Sequence, residues 1–65
     1  MTLQDRADAI LKARYAIDID GRRFRVIYSE VGGTTPEIVS THLTRLAALA
    51  SAKRHAMQDA REIAQ

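Results

Sequence analysis

Cysteine is absent from the 65 residues, so no disulfide framework and no thiolate metal site can hold this chain together. Tryptophan is also absent, and one phenylalanine and two tyrosines are the only aromatic residues. A core built from such a chain is small and mostly aliphatic, because a domain of this size buries only about 60% of its unfolded surface. No run of apolar residues approaches the roughly 20 that a membrane-spanning helix needs. The longest charge-poor stretch, from Glu37 to Lys53, contains Arg45 and is interrupted by Ser40, Thr41, His42 and Thr44. The opening Met-Thr-Leu-Gln-Asp-Arg lacks the apolar segment of a secretory leader. The expectation is one small, soluble, cytoplasmic domain that makes no membrane contact. Internal repeats and low-complexity segments are missing too, although residues 47 to 64 are rich in alanine.

Ten basic and eight acidic residues leave a net charge of +2, a mild excess. Placement matters more than the sum. Arg22, Arg23 and Arg25 cluster in one stretch, and Lys53, Arg54 and Arg61 fall near the C-terminus.

Residues 2 to 15 read as an amphipathic helix. Thr2 is a candidate N-cap with Asp5 three positions on, a capping box with a short acid. Asp5 and Asp8 lie near the positive end of the helix dipole, Lys12 and Arg14 near the negative end. Leu3, Ala7, Ile10 and Leu11 form one apolar stripe.

From Tyr15 to Tyr28 the period changes to two. Asp20-Gly21 signals a two-residue hairpin turn. With that pair as the loop, Ile17 opposes Phe24, Asp18 opposes Arg23, Ala16 opposes Arg25 and Tyr15 opposes Val26. One face then carries Tyr15, Ile17, Ile19, Phe24, Val26 and Tyr28, while Ala16, Asp18, Arg23, Arg25 and Ile27 take the other. A slip by one residue would scatter this pattern.

Residues 29 to 34, with Gly32-Gly33, read as a linker. Thr35-Pro36-Glu37 has the form of an N-cap, N1 proline and acidic first turn. A second helix is therefore expected from Pro36. Val39, Leu43, Leu46, Ala50, Lys53, Met57, Ala60 and Ala64 continue an alternating four-three spacing along it. The expected fold class is α+β: helix, two-stranded antiparallel hairpin, helix, around a single small core. That core draws on Leu3, Ala7, Ile10, Leu11, Ile17, Ile19, Phe24, Val26, Tyr28, Val39, Leu43 and Leu46. After Ala50 the stripe thins to Met57 and alanines. This divides the chain into a compact domain over 1–50 and a helical or partly disordered extension over 51–65.

Catalytic chemistry finds little support. His42 and His55 lie too far apart on one helix to share a metal. His55 and Asp59 have the spacing of an exposed helical ion pair. Ser40 and His42, two apart on a helix, would not face each other. Asp18-Ile-Asp20-Gly21 lacks the further oxygen ligands of a calcium loop. The expectation is a non-enzymatic protein with no metal and no cofactor.

The candidate partner- or anion-binding residues are Arg22, Arg23, Arg25, Lys53 and Arg54. At the hairpin the arginines either solubilise an exposed strand end or grip phosphate or carboxylate groups. Lys53 and Arg54 with His55 form either a solvated helix face or a second contact.

The helix from Met1-Thr2, the turn Asp20-Gly21-Arg22-Arg23 followed by Phe24-Arg25-Val26, and a second helix from Pro36 together resemble the gpW family. These are small head-tail joining, or head completion, proteins of tailed bacteriophages, and the resemblance covers roughly residues 2 to 50. It implies self-association into a ring that docks on the portal, helps retain packaged DNA and offers a tail attachment surface. Arg22, Arg23 and Arg25 would then face portal, neighbouring subunits or DNA, in a host cytoplasm or in the virion. Two other functions fit the residues: a small nucleic-acid-binding regulator using the basic hairpin tip and basic C-terminal stretch, or an oligomerisation module built on the stripe of residues 39 to 64.

Overall fold

A computed structural model describes residues 2–30, 33 and 35–64. The chain folds as α1 (Leu3–Arg14), β1 (Tyr15–Asp20), β2 (Arg23–Tyr28), β3 (Glu37–His42) and α2 (Arg45–Ala64). The strands form one antiparallel sheet in the order β1-β2-β3. The fold is α+β, a helix, a three-stranded sheet and a helix, with both helices packed against one face of the sheet.

The first helix forms where its caps place it. The Thr2 hydroxyl accepts the Asp5 N–H at 3.1 Å, and the Asp5 carboxylate accepts the Thr2 N–H at 3.3 Å. Both otherwise unpaired donors are thereby satisfied. The helix ends by running directly into β1, since Tyr15 is already extended at φ −115° and ψ 142°.

The hairpin faces agree with the alternation, but the turn is displaced by one residue. Gly21 and Arg22 are the two central residues, and Asp20 pairs with Arg23. Of these two, only Gly21 has positive φ, at +61°, the pattern of a turn with glycine in the first central position. Asp20 therefore remains extended and joins the ladder. Ile17 opposes Val26 rather than Phe24, and Asp18 opposes Arg25 rather than Arg23. Ala16 meets Ile27 and Tyr15 meets Tyr28. Moving each partner by two positions keeps every side chain on its face, because the strand period is two.

The expectation from Pro36 onward is corrected. Glu37–His42 is a third strand, antiparallel to β2, and the second helix begins only at Arg45. Ile38, Val39 and Thr41 are β-branched and suit a pleated surface. The free edge of β2 supplies ladder hydrogen bonds that a local helix start cannot match. A register shift between Val26 and Ile27 makes Val39 the extra residue of a bulge. The operative helix cap is Thr44, whose hydroxyl accepts the Ala47 N–H at 3.1 Å. The expected linker falls largely on Val31, Gly32 and Thr34, which lie outside the described residues. So do Met1 of the resemblance and the side chain of Ala64.

The core also differs from the expected set. Ala7 and Ile10 of α1 pack on Ala56 and Ala60 of α2, while Val26 packs on Ala48 and Ala52. Leu11 and Tyr15 touch both clusters and join them. Ile17, Phe24 and Val39 complete the sheet side. Alanines every fourth position let α2 approach the sheet and α1 closely. The expected boundary after residue 50 consequently falls inside α2, and the part beyond it is the part that packs against α1. Leu43, Leu46 and Ile19, expected in the core, are 75%, 79% and 63% exposed.

Candidate interaction surfaces

The three hairpin arginines have separate roles. Arg25 points from the sheet face opposite the helices and forms an ion pair with Asp18, its cross-strand partner. Its guanidinium also lies 3.9 Å from the Asp20 carboxylate. The hydrogen bond from Arg25 holds the Asp18 carboxyl below its ordinary range, against a smaller opposing effect of desolvation. Because the folded-state value is depressed, this pair stabilises the fold above the ordinary carboxylate range. That contribution is lost as pH falls through the lowered value. Acid titration of the fold, followed by circular dichroism, should show wild type losing stability at low pH more steeply than Asp18→Asn. Equal acid slopes would refute a role for the pair.

Arg22 and Arg23 are exposed and make no ion pair among the described residues. Arg23 borders an open groove with Thr41, His42, Leu43, Thr44 and Ala47, where the end of β3 meets the first turn of α2. Ile19, Phe24 and His42 are paired across the three strands at this same end. The end of the molecule at the hairpin tip therefore combines exposed Ile19, Leu43 and Leu46 with the cations Arg22, Arg23 and Arg45. The leucines escaped the sequence reading because the four-three spacing assigned them to a buried stripe. The Thr44-Arg45 boundary, once recognised as a helix cap, places them outside it.

Behind His42 runs a short polar chain. His42 Nε2 lies 2.9 Å from the Ser40 hydroxyl, which lies 3.0 Å from the Ser51 hydroxyl. A strand places residues two apart on one face, so Ser40 and His42 do meet, contrary to the helical expectation. Ser51 is buried, and this chain satisfies its hydroxyl. Ser40 is half-buried and faces Ser51 on α2, while His42 borders the adjacent groove.

The second histidine also has a different partner from the expected one. Asp59 accepts the Tyr15 hydroxyl at 2.5 Å, and the His55 ring stacks on the Tyr15 ring at 6.2 Å and 19°. Tyr28 is the other ring neighbour of Tyr15, with the ring centroids 5.2 Å apart. The expected His55–Asp59 ion pair is replaced by a clamp between α2 and the start of β1.

Lys53 and Arg54 are exposed on α2 and, with Met57, Gln58 and Arg61, line a second open groove. The structure does not bring them to the hairpin arginines: they lie at the middle of α2 and border a different groove from the one beside Arg23. Among the described residues no group of three His, Asp or Glu side chains is placed to hold a metal ion. No helix among the described residues is long and apolar enough to cross a membrane. Comparison with protein-family models, curated proteins and solved structures finds no match to this chain.

Proposed function

We propose that this chain is a non-enzymatic adaptor that docks a partner protein on its hairpin-tip end. One observation carries the reading: three large aliphatic side chains stand exposed there beside unpaired arginines. Large apolar side chains left exposed among polar ones at one end of a molecule suit a protein–protein contact. The cationic rim fits a partner with carboxylates around an apolar insert. A head-tail connector of the gpW kind is the specific form of adaptor proposed. Its support is the capped first helix and the Asp20-Gly21-Arg22-Arg23 turn, together with two helices on one sheet face. The second helix does not start at Pro36: Glu37–His42 is a strand and departs from the matched pattern.

The test is co-expression with the products of the genes flanking its own. A portal-type ring should retain the wild-type chain, and Leu43→Asp/Leu46→Asp should weaken retention by about tenfold or more, as expected for losing central apolar contacts. Both leucines are exposed, so the fold should survive, which circular dichroism checks. Retention unchanged by this pair would refute docking at the tip end, and absence of any portal-type partner would refute the connector assignment.

A further inference from the structure

The solvent-facing side of α2 carries a cationic ridge that the adaptor reading leaves unused. Lys53, Arg54 and Arg61 are exposed there and border the groove with Met57 and Gln58. Residues three or four positions apart are neighbours on a helix. None of the residues so placed around these three cations is acidic. Asp59 is turned inward, its carboxylate bound to the Tyr15 hydroxyl. Glu62 is the one acid beside the ridge, about 100° around the helix from Arg61. Among the described residues none of the three cations forms an ion pair.

Spacing and composition together select the ligand. Lys53 and Arg61 are eight residues apart, a rise of about 12 Å along the helix. Cations spread over that length of one helix reach separate phosphates, which duplex DNA presents at one per about 1.7 Å of its axis. The only large apolar side chain in the ridge is Met57, which is half-buried against α1. The ridge therefore lacks the apolar centre of a protein interface, unlike the hairpin-tip end. We propose that α2 binds duplex DNA through its phosphate backbone, with Lys53, Arg54 and Arg61 each meeting one phosphate. Gln58 lies between them as a neutral hydrogen-bond donor. The binding is independent of sequence, because it reads only phosphate.

Fluorescence anisotropy of the full chain with a labelled duplex of about 20 base pairs tests this. Affinity should fall with salt at a logarithmic slope of about −2.7, about −0.9 for each of three phosphates. Lys53→Glu/Arg54→Glu/Arg61→Glu should weaken low-salt binding about tenfold or more, and the corresponding triple glutamine variant should flatten the slope. Arg22→Glu/Arg23→Glu should bind within about twofold of wild type, since those residues lie outside the ridge. Circular dichroism establishes that each variant is folded. No salt-dependent binding by wild type, or binding retained by both folded ridge variants, overturns the proposal. So does loss in the tip variant. Tighter binding of single-stranded DNA or of an oligoglutamate of equal charge would assign the ridge to a different ligand and also overturn it.

Discussion

Ala52→Leu is expected to cost about 1–3 kcal/mol through overpacking, and to lower the melting temperature by roughly 4–8 °C for each kcal/mol in a domain this small. Ala52 is 1% exposed and packs with Val26 and Ala48 beneath the helix. A leucine there has no space to occupy unless α2 moves off the sheet. That movement would also loosen Ala56 and Ala60 from Ala7 and Ile10. The control is Ala50→Leu, two positions away and exposed, where a change within about 0.5 kcal/mol is expected. Both substitutions alter helix propensity and hydrophobicity alike, so a difference between them reports packing alone. Thermal melts followed by circular dichroism provide the comparison. Equal midpoints would mean that α2 beyond residue 50 is peripheral, as the thinning apolar stripe suggests.

The second large effect should come from Tyr15→Phe. The substitution removes one hydroxyl and leaves the ring that joins the two core clusters. It also removes the hydrogen bond to Asp59, a charge-assisted contact whose loss should cost about 1.5 kcal/mol at a half-buried site. A distinctive signature lies in the pH dependence. Burial, the hydrogen bond to Asp59 and the negative charge of Asp59 raise the Tyr15 phenol well above its ordinary value of 10.0. Tyr15 in the unfolded chain ionises near that ordinary value, while in the folded protein it keeps its proton. The associated stability is complete below the ordinary value and falls as pH rises beyond it. Urea midpoints at about pH 8 and about pH 11 should therefore separate more for wild type than for Tyr15→Phe. The same alkaline loss in both proteins would show that Tyr15 does not couple folding to pH.

Local chemistry was legible where it had no competitor. The Thr2–Asp5 capping box and the dipole-matched charges locate α1 with its ends correct to one residue. The alternation from Tyr15 to Tyr28 assigns each side chain to its face, since a two-residue displacement of register leaves faces unchanged. It does not locate the turn, because Asp20-Gly21 and Gly21-Arg22 both place the glycine where positive φ is allowed. At Thr35-Pro36-Glu37 the local signal pointed the wrong way. A strand pairing with β2 outweighed the cap, and the β-branched Ile38, Val39 and Thr41 were the contrary evidence. Of the arginines, the outward position of Arg25 could be read from the pattern. Its engagement by Asp18 rather than by a partner depends on the register.

The sequence alone determined the composition of a small aliphatic fold, its first helix, the existence and faces of its hairpin, and the clustering of its cations. These follow from spacing within a few residues, where backbone geometry leaves little choice. Only the tertiary structure decided the third strand, the start of α2 and which residues became core. Those outcomes depend on what the free edge of β2 and the face of the sheet could accept from distant segments. The same competition converted Leu43 and Leu46 from expected core into exposed surface and put alanines in their place. Once β3 occupied the edge, α2 had to begin after it, and only a helix with small inward residues could lie so close to both the sheet and α1.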